Sequence, residues 1–277
     1  MKRSLAALAA FALALGTGTI AGAQDAQSQQ QAEVQIGQQV YQQLQQKGEI
    51  LQSSPYYAVL APIAAQIKRV ADPQYFRPFT FILVHEAQPN AFAVPGGNVY
   101  VTDSLMKFVE NREELAGVLC HETSHDIHHD VINNMIKDQR AQQNVGLIAG
   151  LANVLTGGKY QGVIGGVANI DLMTTVNKYS RTVETAADSK GADTCAQAGS
   201  NPWGMVWLFQ RFEKSSSGGQ MEILSDHPND DHRIEALQAH FAENPGLFRR
   251  YTSNIARATP LARARGVSYD EPAAPTQ

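Results

Sequence analysis

His121-Glu122-Thr123-Ser124-His125 constrains this chain more than any other stretch. It is an H-E-x-x-H segment in a run that reads as helix. Asn111-Arg-Glu-Glu114 supplies an N-cap residue with Glu three positions on, and Leu115, Val118 and Leu119 begin an apolar face. Positions i and i+4 of a helix lie one above the other. His121 and His125 can therefore offer two imidazole nitrogens to one Zn²⁺. Glu122 projects about 100° away, where it could take a proton from a water on the metal without binding the metal itself. Zinc lowers the pKa of such a water toward about 7. The chemistry indicated is metal-assisted hydrolysis, most often of peptide bonds.

A hydrolytic zinc site takes three protein ligands and keeps the fourth position open. Glu184, in Ser180-Arg-Thr-Val-Glu-Thr-Ala-Ala-Asp188, is the best third ligand. Glu184 and Asp188 are again i and i+4 in a segment, about 174–198, that is helix-compatible and stops at Gly199. Asp188 could accept the outer N–H of a ligand histidine and fix its tautomer. The expected cofactor is one Zn²⁺ per chain.

Four motifs in fixed order carry a family resemblance. They are His121–His125, Glu184-x-x-x-Asp188, the upstream Asn90-Ala-Phe-Ala-Val-Pro-Gly-Gly-Asn-Val-Tyr-Val101 and the downstream His227-Pro228…Arg233-Ile234. Across roughly residues 35–240 the chain resembles HtpX-like zinc metallopeptidases. That family also holds the CAAX prenyl proteases and several bacterial periplasmic maintenance proteases. The resemblance implies an α+β, mostly helical, gluzincin-type fold with a small three-stranded sheet and an H-E-x-x-H active-site helix. It implies His, His and Glu ligands, a catalytic Glu, and endoproteolysis of damaged or misassembled proteins. It places His227 near the metal or the oxyanion. Arg233 stands where the family polarises a substrate carbonyl or holds the third ligand. Thr123, where the family usually has an apolar residue, and Asp130, where it often has His, are departures that remove no ligand.

Other histidines fit plainer roles. His129 extends the stripe one turn past His125, but the pair 125/129 has Asp126 where the catalytic Glu should be. His128 and His129 read as a polar helix end, His85 as the end of a strand, and His232 and His240 as solvated.

Met1-Lys-Arg3 is a basic n-region, Leu5–Leu15 an apolar h-region and Ala21-Gly-Ala23 a cleavage site, together a secretory signal peptide over 1–23. Its core is too short for a membrane span, and no Cys follows it for lipid attachment. The expected home is the periplasm, or the exterior if the host lacks an outer membrane. Cleavage removes two basic residues and no acid, taking the net charge from −4 to −6. A mildly acidic surface argues against nucleic acid as a partner. Residues 24–32 are Gln/Ser/Ala-rich and suggest a disordered leader. Residues 33–265 make one peptidase domain, and 266–277 a flexible tail.

Helical patterns run over Glu33–Val70, broken by Pro55 and Pro62, then over about 112–143, 173–198, 229–240 and 249–256. Asn201-Pro202 opens another helix, with Trp203, Val206, Trp207 and Phe209 as core candidates, and Ser215–Gly219 reads as a loop. Phe79–Val84 and Gly97–Thr102 read as strands, with Asn90–Val94 an edge candidate between them. That edge, Asn90, Ala91, Phe92 and Ala93, is the expected substrate-binding strand, adding a protein or peptide chain by backbone pairing. Residues 146–170 are small, apolar and split by Gly157-Gly158, Lys159 and Gly165-Gly166 into runs too short to span a bilayer. A lid or groove wall between the ligand helices is preferred there over core packing or peripheral membrane contact. Cys120 and Cys195 are expected as two buried free thiols, because Cys195 lies eleven residues past Glu184, about 16 Å along a helix.

Taken together, the residues indicate a zinc metalloendopeptidase acting in envelope protein quality control. His121, His125 and Glu184 are the ligands, Glu122 the general base, and His227 or Arg233 the oxyanion partner. Two alternatives come from other classes: a chaperone-like binding protein with a latent or lid-blocked zinc site, and a non-peptidase zinc hydrolase.

Overall fold

Thr80–Val84, Ala91–Val94 and Asn98–Thr102 are rich in the β-branched and aromatic residues that suit a pleated surface, and they form strands β1, β2 and β3. The computed structural model describes residues 6–135, 179–215 and 231–267, the first twenty as backbone only. Residues 1–5, 136–178, 216–230 and 268–277, and with them residues 146–170 and His227, lie outside the described residues. The sheet order is β1-β3-β2. β1 pairs parallel with β3, and β2 pairs antiparallel with it, Ala93 opposite Val99. β2 is therefore an edge strand of this sheet, as expected. The β2–β3 turn uses Gly96 and Gly97 at φ 97° and 84°, a left-handed region that glycine enters without a Cβ penalty.

Alternation along the strands divides the core. Leu83, Ala91, Val99 and Val101 face one hydrophobic cluster, and Ile82, Val84, Phe92, Val94 and Tyr100 face another. Against the second face packs α1 (Ala6–Gln46), through Ala32, Ile36, Val40 and Leu44 at four-residue spacing. This differs from the disordered leader expected over 24–32: the helix is continuous through it. Ala and Gln favour helix, and docking of one apolar stripe stabilises it by about 1.5–3 kcal/mol for each large side chain fully buried.

Against the first face pack α2 (Tyr57–Ala71) and α4 (Arg112–Ile127); behind them in the same cluster, α5 (Arg181–Ala198) packs on both, α6 (Trp203–Ser215) on α4 and α7 (Asp231–Glu243) on α5. The short α3 (Asp103–Phe108) leads from β3 to α4, and the short α8 (Pro245–Phe248) follows α7. Pro62 lies inside α2 and does not break it, since Val59, Leu60, Ile63, Ala64, Ile67 and Ala71 bury a continuous face. In α6, Val206, Trp207 and Phe209 are buried, and Trp203 packs against the same core. Residues 249–256 do not form a single helix: the 3₁₀ turn Ile255–Arg257 follows an irregular stretch. There Trp207 and Asn201 donate side-chain hydrogen bonds to the carbonyls of Ser253 and Thr252, which a helix would have used internally. No helix among the described residues is long and apolar enough to cross a membrane.

Candidate metal centre and active site

Asn111 caps α4 by accepting the Glu114 N–H at 2.8 Å. The reciprocal bond of the capping box reaches one residue further back, from the Glu110 N–H to Glu114 Oε2 at 2.8 Å. Arg211 on α6 donates to the other Glu114 oxygen at 2.7 Å. This fixed start carries a helix in which every residue from Glu114 to Asp126 is buried. A polar H-E-x-x-H segment inside a protein must find partners for each group.

The partners come from α5. Ser180 caps it by accepting the Val183 N–H, and Gly199 in the left-handed region ends it. α5 runs antiparallel to α4 and approaches closely at Gly191. A Cβ there would lie 3.0 Å from the His121 backbone. Through this approach Glu184 reaches both histidines. His121 Nε2 lies 3.1 Å from His125 Nε2 and 3.4 Å from Glu184 Oε2, and His125 Nε2 lies 3.7 Å from Glu184 Oε1. Tetrahedral zinc with bonds of about 2.0–2.1 Å separates its ligand atoms by about 3.3–3.4 Å. The three side chains are buried and their donor atoms fall at that spacing, so the donor set fits one metal ion with a fourth direction left over.

Each histidine is oriented from behind. His121 Nδ1 lies 3.0 Å from Asp188 Oδ1, and His125 Nδ1 lies 2.9 Å from Asp130 Oδ2. A carboxylate only accepts, so in the neutral rings the proton sits on Nδ1 and the Nε2 lone pair faces the metal position. Tyr179, just before the α5 cap, stacks flat on the His125 ring at 4.0 Å and 6°. Arg233 on α7 donates to both Asp188 oxygens at 2.7 Å and its Nη1 lies 3.1 Å from Glu184 Oε2. Its guanidinium also lies over the Phe209 ring at 4.5 Å. Arg233 thus sits behind Glu184, engaged on two carboxylates.

Burial opposes charge on Asp188, but Arg233 and then His121 outweigh it and hold its pKa below the ordinary value. Burial likewise opposes a proton on His121, but hydrogen bonds to Asp188 and Glu184 raise its pKa from 6.5 to about 10 in the metal-free site. Burial pushes Asp130 up to about 6, with His128 opposing.

Glu122 points to the sheet. Its Oε2 accepts the Ala93 N–H at 2.9 Å, so it lies between the metal position and β2. That bond shows which way the β2 backbone faces: Ala93 and, by alternation, Ala91 point away from β3, whereas Asn90 exchanges bonds with Thr102. Phe92 turns its ring into the opposite core, stacked on Tyr100.

Several expectations change here, while His128 at the end of α4 and His85 at the end of β1 stand as read. The helix expected over about 112–143 is interrupted rather than continuous: α4 ends at Ile127, His129 adopts φ 56°, and helix resumes over residues 130–135, so that Asp130 meets His125, while residues 136–143 lie outside the described residues. His129 binds no ligand partner at the centre; its Nδ1 lies 2.6 Å from Glu33 Oε1 on α1. His128 is engaged on Ser124 O. His85 follows β1 and pairs with Asp103. His240 is not solvated alone but bonds Asp193 at 2.8 Å. The two cysteines are bridged, Cys120 to Cys195, with Cα atoms 5.8 Å apart. A span of about 16 Å from Glu184 did not imply separation. The helices run antiparallel and touch at Gly191, so one turn later Cys195 lies over Cys120. Asp130 and Tyr179 were missed as site residues. An acid just past the helix end and an aromatic just before the Ser180 cap were the only sequence signals.

Comparison with known proteins followed the same residues. Residues 58–240 match peptidase family M48. The beta-barrel assembly-enhancing protease of Yersinia pestis is 30% identical over 176 residues, 57% of this chain and 33% of that protein. Mitochondrial metalloendopeptidase OMA1 of Schizosaccharomyces pombe is 27% identical over 179 residues, 64% of this chain and 50% of the relative. Its namesake in Saccharomyces cerevisiae is 31% identical over 158 residues, 54% of this chain and 43% of the relative. The chain thus spans a third to a half of the length of these relatives, and α1 precedes the family match.

Proposed function

The chain belongs to peptidase family M48, and from that premise we propose that it is a zinc-dependent endopeptidase cleaving unfolded or misassembled proteins of the bacterial envelope. The observation that carries this is the trio His121, His125 and Glu184 at tetrahedral spacing, with Glu122 beside it on the edge of the sheet. When bound, zinc would supply a water acidified toward about pKa 7 and polarise the scissile carbonyl.

The protein's own groups do the rest. His121 and His125 present Nε2, held by Asp188 and Asp130. Glu122 takes the proton of the attacking water and returns it to the leaving amine. A substrate strand adds along β2, using the outward backbone of Ala91 and Ala93, and draws the Ala93 N–H into pairing. Asn90 and Phe92 shape that edge from behind, through Thr102 and Tyr100. His227 is assigned to the developing oxyanion, and Arg233 acts on the reaction through Glu184.

We further assign residues 1–23 to a cleaved export signal and the mature protein to the periplasm. The names of relatives that act on beta-barrel assembly support an envelope substrate. Nothing observed favours a binding-only protein. The deciding experiment is degradation of casein by the mature protein and by its Glu122→Gln form. Cleavage by the first alone supports the assignment; equal cleavage by both removes it.

A further inference from the structure

Glu33 of α1 joins two parts of the site that come from distant stretches of chain. Its Oε2 accepts from the Tyr75 hydroxyl, and its Oε1 accepts from His129 Nδ1–H at 2.6 Å. The Tyr75 hydroxyl in turn accepts the Gly96 N–H at 3.0 Å, in the β2–β3 turn. The next amide of that turn, Gly97 N–H, is taken by Asp126 Oδ2 on α4 at 3.1 Å. The α1 backbone closes on the same turn: a Cβ on Gly37 would lie 2.4 Å from Pro95 O. On its other arm Glu33 holds His129, the left-handed residue after which Asp130 returns to His125.

We propose that Glu33 is a positioning residue for substrate, holding the β2–β3 turn through Tyr75 and the end of α4 through His129, so that the edge strand stays in register with Glu122. This rests on the peptidase assignment of the site.

The physical grounds are these. β2 has four residues and is paired by β3 on one side, so its own ladder fixes it weakly. A substrate adding to the side of β2 away from β3 needs that strand held to within a fraction of a residue, because a slip of one position turns every backbone group away. Burying a carboxylate is costly unless each oxygen is hydrogen-bonded. Glu33 is 1% exposed and meets that condition with one bond to each arm of the site. Among the described side chains α1 contributes no metal ligand and no reacting group, yet its buried carboxylate, Glu33, is placed at this junction.

The test uses the mature full chain in four forms: wild type, Glu33→Ala, Glu33→Gln and Tyr75→Phe. Amide hydrogen exchange is read at residues 93–97. Peptide hydrolysis is read on a long substrate that spans the edge and on a short one that reaches only the scissile bond. Glu33→Ala and Tyr75→Phe should speed exchange at Gly96 and Gly97 by about tenfold or more. They should raise KM for the long peptide about tenfold while leaving the short peptide and zinc content near wild type. Glu33→Gln keeps the shape and an acceptor oxygen and should rescue most of both losses. If Glu33→Ala does not fold, Tyr75→Phe, which lacks one hydroxyl, decides alone. Unchanged exchange, or equal losses on long and short peptides, overturns the proposal. A wild type that cleaves neither peptide overturns the peptidase assignment instead, and the exchange comparison still decides whether Glu33 holds the turn.

Discussion

Arg233 meets Asp188 with two parallel hydrogen bonds of 2.7 Å each, in a part of the protein where neither is more than 3% exposed. A planar fork on a carboxylate fixes position as well as charge. Asp188 then reaches His121, and Arg233 also reaches Glu184, so one guanidinium holds Glu184 directly and His121 through Asp188.

Removing that guanidinium leaves two buried carboxylates without their cation. Arg233→Ala should cost about 3–5 kcal/mol of stability and weaken metal retention. Arg233→Lys supplies charge without the fork and should fall between the two. Thermal unfolding and metal analysis of the three proteins check this. Wild-type metal retention in Arg233→Ala would show that Glu184 needs no support.

Glu122 and Glu184 are both buried carboxylates at the centre, but they should fail differently. Glu122→Gln keeps the ligand set and should keep zinc while losing about 10²–10⁴-fold in hydrolysis. Glu184→Gln replaces a ligand and should lose zinc as well. Metal content measured beside casein cleavage separates them. Zinc loss in Glu122→Gln would move Glu122 into the ligand set.

The different positions of these two glutamates were legible in the sequence, and the reason is local. His121, Glu122 and His125 lie on one helix, and Glu184 and Asp188 on another, where the 3.6-residue period alone decides which side chains share a face. The three strands were legible because alternation and flanking Gly and Pro are also short-range. What was not legible depends on long-range or irregular geometry. Asp130 reaches His125 because His129 leaves the helix at φ 56°, which no propensity marks. Glu33 finds His129 across 96 positions of sequence. The Cys120–Cys195 bridge depends on the crossing at Gly191, which the chain alone does not reveal.

The bridge joins the helix that carries His121 and His125 to the helix that carries Glu184, across 75 positions. Unreduced protein unfolded in denaturant should show no free thiol. Replacing both cysteines with Ala should cost about 2–5 kcal/mol and speed zinc loss to a chelator. Two titratable thiols in the unreduced protein would contradict the bridge.

Zinc uptake should depend on pH through His121. In the metal-free protein Asp188 and Glu184 outweigh burial and hold the His121 pKa at about 10, against 6.5 for a free histidine. A raised folded pKa means that the bound proton stabilises the metal-free fold fully below about 6.5, and that this contribution fades as pH rises toward about 10. Zinc requires the neutral ring, so at pH 7 each ion that binds must displace that proton. Apparent affinity should therefore rise about tenfold per pH unit from neutral pH up to about 10, then level off. Calorimetry of zinc binding in two buffers of different ionisation enthalpy measures the protons released, and about one per zinc is expected at pH 7. Asp188→Asn removes the partner that contributes most to the raised value, so its proton release at pH 8 should fall toward zero. Release that is absent in the wild type at pH 7 would mean that His121 already stands neutral, with its lone pair free for the metal before the metal arrives.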